Sequence, residues 1–127
     1  GIALVAMPFY ATYAAGKGGL SKFGEALRRE LAGEGVRVLT AYPAATETAM
    51  MASSKIGAEH GVVRDSPESV ARAIVGGMEA GALHVISGGE ARMAMIALNN
   101  TEPEKVDEGF AGRKAVLEAA VSEHKSL

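Results

Sequence analysis

The sequence predicts an α/β fold that is part of a doubly wound parallel sheet. Helical and strand-like segments alternate along the 127 residues in the order helix, strand, helix, strand, helix. Such alternation is typical of parallel strands joined by crossover helices. The sequence contains only two strand patterns. A parallel pair of strands needs cover on both faces and further strands at both edges, so two strands do not make a complete sheet. We therefore expect residues 1–127 to form a single partial domain.

The first helix is predicted from Ala11 to about Ala32, after an apolar strand or tight loop over residues 1–9. Gly33 and Gly35 follow it as a stop signal. Apolar residues recur in this helix at intervals of three and four, which predicts one apolar stripe. They are Leu20, Phe23, Leu27 and Leu31.

Three glycines lie in the first half of the same helix, at Gly16, Gly18 and Gly19. Each lowers helix stability by roughly 1 kcal/mol relative to alanine. Their presence suggests that another backbone, a partner subunit or a ligand packs closely on this face.

Two short segments are predicted to be strands. Residues 36–42, VRVLTAY, are rich in residues that favour strands, and Pro43 ends the segment. Residues 82–87, ALHVIS, are followed by Gly88 and Gly89, which we interpret as a strand-to-helix turn. His84 lies in this second strand, and we expect it to be buried and structural.

A further helix begins at Ser66-Pro67-Glu68, which combines a serine cap, a proline in the first position and an acid in the first turn. Gly81 is expected to end this helix. The other segments are predicted as a loop over 44–65 with a short helix near 47–54, a helix over 90–98, and a final helix from Thr101 to about Glu123.

Composition excludes several classes of function. The net charge of −2 and the lack of a basic block argue against a nucleic-acid partner. The apolar runs are shorter than the roughly 20 residues of a membrane span, so no membrane association is expected. The three histidines are far apart, without metal-ligand spacing. The absence of cysteine fits a reducing, cytoplasmic location.

The segment YAAGK, residues 13–17, places Tyr13 and Lys17 four residues apart. Residues at this spacing share one face of a helix. A phenol has a free pKa of about 10, and a neighbouring ammonium group lowers the pKa of a phenol towards the range useful in acid–base catalysis. The pair is therefore either catalytic or an ordinary surface pair.

The surrounding sequence resembles the C-terminal half of a short-chain dehydrogenase/reductase (SDR). The similarity is carried by YAAGKGGLSKFGEALRREL and then by GVRVLTAYPAATET. Tyr13 and Lys17 match the Tyr-x-x-x-Lys motif of the family, and the helix continues into a strand that ends in Pro43. Thr48 stands where the family has a threonine after its Pro-Gly loop. The resemblance is close over residues 8–48, looser over 67–88 and slight after residue 90.

This resemblance implies a Rossmann-type fold and an NAD- or NADP-dependent oxidoreductase acting on an alcohol or carbonyl substrate. It implies that Tyr13 is the general acid/base. It also implies that Lys17 lowers the pKa of the catalytic tyrosine and anchors the nicotinamide ribose. Pro43 and Thr48 would contribute to the cofactor site, with Thr48 at its nicotinamide end. Tyr10 is expected to pack or to line the substrate pocket, and His60 is either a substrate-pocket residue or a solvated loop residue.

The sequence departs from the family pattern at several points. Gly16 replaces a frequent serine, and Ala44 replaces a glycine, which would add strain if φ were positive there. The catalytic serine expected about thirteen residues before Tyr13 lies off the chain. The glycine-rich turn that holds the cofactor pyrophosphate is also absent. We therefore expect an inactive fragment that lacks the N-terminal cofactor-binding half.

The family resemblance also implies a homodimer or homotetramer assembled through the helix that carries Tyr13. The apolar stripe of this helix needs more cover than two strands provide. A non-catalytic, degenerate SDR module that serves in oligomer assembly is the alternative interpretation.

Overall fold

The computed structural model describes residues 1–52 and 64–122. The helices and strands in these residues are α1 (Ala11–Glu30), β1 (Thr40–Tyr42), α2 (Ala49–Ala52), α3 (Pro67–Glu79), β2 (His84–Ile86), α4 (Gly89–Thr101), α5 (Pro103–Ala111) and α6 (Lys114–Ser122). Helix therefore dominates, and the predicted alternation of helix and strand is present from α1 to α4. Residues 1–10 form turns rather than a strand.

Strands β1 and β2 pair in parallel, with Thr40 opposite His84 and Tyr42 opposite Ile86. Parallel pairing was expected, and this small sheet is compatible with a partial Rossmann-like α/β fold. Both strands are three residues long, shorter than the predicted 36–42 and 82–87. The strands end where backbone pairing ends, because a strand is maintained by the hydrogen bonds of its neighbour. The larger doubly wound sheet stays a prediction.

Helix α1 packs on β1 at two points. A Cβ atom added to Gly24 would lie 2.7 Å from the Oγ1 atom of Thr40. Three residues earlier in the helix, the Ser21 hydroxyl forms a 2.7 Å hydrogen bond with the Tyr42 hydroxyl. Because Gly24 meets the start of β1 and Ser21 meets its end, α1 runs antiparallel to β1. The N-terminal half of α1 therefore extends towards the carboxyl edge of the sheet.

Helix α3 starts as predicted. The backbone N–H of Ser69 donates a 3.2 Å hydrogen bond to the Ser66 hydroxyl, and Pro67 occupies the first helical turn. The cap satisfies one of the backbone donors that a helix start leaves without an intrahelical partner. Near its C-terminus, α3 contacts β2 through Gly77, where an added Cβ would overlap the Cγ2 methyl group of Val85.

The predicted burial of His84 is wrong, since its side chain is exposed. Side chains alternate between the two faces of a strand. Val85 faces α3, so His84 projects from the opposite face of the sheet. Its ring lies 5.8 Å from the ring of Tyr42 there, but α1 covers this face only in part.

The single final helix predicted from Thr101 to Glu123 is wrong, because the structure divides the described part of this segment into α5 and α6. Helix α4 continues through Thr101, and Glu102 then leaves the helical conformation with a φ of −142°. Pro103 disfavours helical geometry in the residue before it. Gly112 and Arg113 separate α5 from α6, in keeping with the low helix propensity of glycine.

The hydrophobic core of the described residues is small. Leu117 and Ala120 of α6 are buried together, and Met7 and Phe110 pack against them. Val5, Tyr10, Tyr42 and Val106 are also buried. Within residues 1–52 and 64–122, no helix combines the length and apolarity that crossing a membrane requires.

The two adjacent glycines of α3 give a test of its packing on β2. We predict that Gly77→Ala lowers the free energy of unfolding by about 1–3 kcal/mol, because the new methyl group overlaps Val85. Gly76→Ala is the matched control, since an added Cβ at Gly76 has no described atom within 4 Å. It should raise the free energy of unfolding by up to about 1 kcal/mol through helix propensity. Chemical denaturation of the two variants measures both changes, and equal effects would contradict the packing of α3 on β2.

Candidate active site

Tyr13 and Lys17 lie together on the N-terminal half of α1. The Lys17 ammonium nitrogen lies over the Tyr13 ring, 5.3 Å from its centroid. Tyr13 is half-buried and Lys17 is exposed. The structure thus brings the phenol and the ammonium group together on one helix face, as the spacing of the two residues predicts.

Tyr10 immediately precedes α1 and packs against its first turn. Its ring meets the Tyr13 ring edge-on, with a centroid distance of 6.3 Å and an interplanar angle of 65°. Tyr10 is 8% exposed. Burial, and secondarily the charge of Tyr13, raises the pKa of Tyr10 above its ordinary value. Tyr10 therefore stays neutral at physiological pH and restrains the ring of its more exposed neighbour.

The loop after β1 begins at Pro43 and is held by β2. The backbone N–H of Ala44 donates a 2.7 Å hydrogen bond to the Ser87 hydroxyl. The Thr46 hydroxyl donates a 3.1 Å hydrogen bond to the Ala44 carbonyl. Among the described residues, Phe9 is the non-glycine residue with a positive φ. Alanine in place of the family glycine at position 44 is therefore free of left-handed backbone strain.

Thr48 is exposed, and its hydroxyl caps α2. Its Oγ1 atom accepts a 3.2 Å hydrogen bond from the backbone N–H of Met51. The contacts that orient Thr48 are thus with α2 rather than with Tyr13 or Lys17. Its assignment to the nicotinamide end stays a prediction. His60 and residues 53–63 of the predicted 44–65 loop lie outside the described residues.

Arg92 is a residue of this region that the sequence interpretation missed. It lies in the first turns of α4, and an added Cβ at Gly1 would contact both the Arg92 guanidinium and the Pro43 carbonyl oxygen. Its Nε atom is buried and has no hydrogen-bond partner among the described residues. Burial lowers the pKa of Arg92. The available sequence signal was an arginine shortly after a strand and a Gly-Gly turn.

Gly1 lies between the start of α4 and the end of β1, beside Arg92 and Pro43. The N-terminal half of α1, the Pro43 carbonyl and the start of α4 converge at the carboxyl edge of the two strands, where ligands bind in open parallel sheets.

The donor groups at this edge suit the nicotinamide end of a dinucleotide. An exposed ammonium group, a half-buried phenol and an exposed threonine hydroxyl can bind ribose hydroxyls and a carbonyl oxygen. Within residues 1–52 and 64–122, no group of three or more His, Asp or Glu residues could hold a metal ion.

Comparison with known proteins identifies the class of the N-terminal segment. Residues 1–59 match the family model described as short chain dehydrogenase. The matched range contains α1 with the Tyr13–Lys17 pair, β1, Pro43 and Thr48. No curated protein and no solved structure was found to match the chain. Residues 1–59 are therefore similar to the short-chain dehydrogenase family, and this match supports membership of that family.

Proposed function

We propose that this chain is part of an NAD- or NADP-dependent oxidoreductase that interconverts an alcohol and a carbonyl compound. The observation that carries the proposal is the Lys17 ammonium nitrogen 5.3 Å from the centroid of the Tyr13 ring. The family match over residues 1–59, which includes both residues, supports the proposal as well.

In this proposal Tyr13 is the general acid/base. A nicotinamide, when bound, would accept the hydride in oxidation and donate it in reduction. In the oxidative direction, the Tyr13 oxygen would take the hydroxyl proton of the substrate. In the reductive direction, the Tyr13 hydroxyl returns the proton to the carbonyl oxygen. The adjacent Lys17 ammonium stabilises negative charge on the phenol oxygen electrostatically.

Lys17 and Thr48 are proposed to hold the cofactor. Both side chains are exposed at positions from which they can meet a ligand. Lys17 would donate to the nicotinamide ribose, and the Thr48 hydroxyl would contact the nicotinamide end. Pro43, which is half-buried at the end of β1, would shape the loop between them.

Activity is proposed for the natural protein that carries this chain, working in the cytoplasm. The 127 residues contain neither the glycine-rich turn that binds a pyrophosphate nor a serine at the family position before Tyr13. The isolated chain is therefore expected to bind a dinucleotide weakly and to be inactive.

Replacing Tyr13 tests the proposed chemistry in the natural protein. We predict that Tyr13→Phe lowers kcat/KM by at least about 10²-fold, because the proton transfer loses its general acid/base. Lys17→Met should also lower kcat/KM, through loss of the stabilising charge and of the ribose contact. Turnover would be followed by the absorbance of the reduced nicotinamide, with secondary alcohols and ketones as substrates and both NAD and NADP as cofactors.

Lys22→Met is the matched control for the lysine substitution. Lys22 is exposed on the same helix and pairs with Glu25 at 2.7 Å, so its loss should leave kcat/KM unchanged. A Tyr13→Phe protein as active as the wild type would rule out the proposed mechanism.

A second candidate function, assembly without catalysis, is favoured by the surface of α1. Leu20 and Phe23 are 61% and 62% exposed. Added Cβ atoms at Gly16 and Gly19 would have no described atom within 4 Å. These four residues form an exposed apolar strip on which the glycines allow close approach of another backbone. The same helix of a second copy could pack on this strip to give a homodimer or homotetramer.

Introducing charged residues into this apolar strip tests whether it forms the oligomer interface. We predict that Leu20→Glu combined with Phe23→Glu converts the oligomer to a monomer, because burying two carboxylates in an apolar contact is costly. Sedimentation velocity measures the change. Val75→Glu is the control, because Val75 is 52% exposed on α3, and it should leave the oligomer intact. An oligomer that survives the double substitution would place the interface elsewhere.

A further inference from the structure

The hydrogen bond between Ser21 and Tyr42 links the helix of the candidate active site to the end of β1. The two hydroxyl oxygens are 2.7 Å apart. Tyr42 is 7% exposed, and its ring lies 5.8 Å from the ring of His84 on the neighbouring strand. The Tyr42 side chain is therefore held by the sheet around it, and its hydroxyl occupies a fixed position.

Ser21 belongs to the same row of residues on α1 as the candidate catalytic pair. Tyr13, Lys17 and Ser21 follow one another at intervals of four, so each lies one helical turn from the next. A displacement of α1 that breaks the Ser21 contact therefore moves Lys17 and Tyr13 by a similar distance. The helix transmits the position of Ser21 because its backbone hydrogen bonds make it a rigid element.

The second contact between α1 and β1 cannot fix the helix in the same way. Gly24 lets the helix approach Thr40 closely, but a glycine presents a smooth surface that permits sliding and rotation. A hydrogen bond is directional and weakens steeply when its geometry is disturbed. Of these two contacts, the hydroxyl pair is the one that sets the position of α1 along β1.

We propose that Ser21 and Tyr42 are positioning residues for the Tyr13–Lys17 pair. Their hydrogen bond holds α1 at one position along β1, and so sets the Tyr13 hydroxyl and the Lys17 ammonium relative to the loop at Pro43. This inference rests on the proposed oxidoreductase function. Its physical basis is that a misplacement of about 1 Å remote from the reacting atoms can cost about 10²-fold in rate.

Removal of either hydroxyl tests the inference in the natural protein. Ser21→Ala and Tyr42→Phe should each lower kcat by about 10- to 100-fold with little change in the KM for substrate. The double variant should be no slower than the slower single variant, because both substitutions remove the same bond. Ser21→Thr, which keeps a hydroxyl group, should recover most of the rate. Ser122→Ala is the matched control, since its hydroxyl donates to Ala119 within α6, and its kcat should be unchanged.

Rates are to be measured well below the unfolding temperature of each variant, so that a loss of folded protein does not lower them. A purely structural bond would lower the unfolding temperature and leave kcat intact, which would overturn the inference. Independent, additive losses in kcat would also overturn it. If Tyr42→Phe fails to fold, Ser21→Ala still tests the inference. This variant is expected to fold, because alanine is a stronger helix former than serine.

The proposed function and this inference fail in different ways. A wild-type protein without dehydrogenase activity would reject the proposed function, and the positioning role with it. Wild-type activity that is lost in Tyr13→Phe but retained in Ser21→Ala and Tyr42→Phe would reject the positioning role alone.

Discussion

The packing of α1 against β1 is the constraint on which the candidate site depends. The close approach at Gly24 and the Ser21–Tyr42 hydrogen bond fix the helix antiparallel to the strand. This direction brings the N-terminal half of α1 to the carboxyl edge of the sheet, where Pro43 ends β1. A phenol and an ammonium group on the opposite end of the same helix would lie at the amino edge, away from the usual ligand site of a parallel sheet.

Features that depend on neighbouring residues in the chain could be predicted from the sequence. The Ser66 cap of α3 follows from capping chemistry, and the shared face of Tyr13 and Lys17 follows from their spacing. Features that depend on tertiary packing could not. The sequence directed attention to the early glycines of α1 as points of close contact, yet among the glycines in the described helices the close approaches within the chain occur at Gly24 and Gly77.

The candidate site shows the same division. Tyr13 and Lys17 are one helical turn apart, and the pair could be predicted from its spacing together with the similarity of the surrounding sequence to a known family. The other half of the site is assembled from Pro43, Ala44, Ser87 and Arg92, which the parallel pairing of β1 and β2 brings together. No local pattern joins residues so far apart in the chain. The exposure of His84 had the same cause, because it depends on which face of β2 another element covers.

The catalytic and the assembly proposals concern the same helix, and they are physically compatible. One face of α1 meets β1 through Ser21 and Gly24, while Leu20 and Phe23 remain exposed. A second copy packed on Leu20 and Phe23 would bury their apolar surface and restrain α1 from another side. Rigidity of that helix is what a catalytic pair on it requires, since reaction rates depend on geometry. Assembly would then reinforce the positioning that the hydrogen bond to Tyr42 begins, and a chain retained only for assembly would need neither Tyr13 nor Lys17.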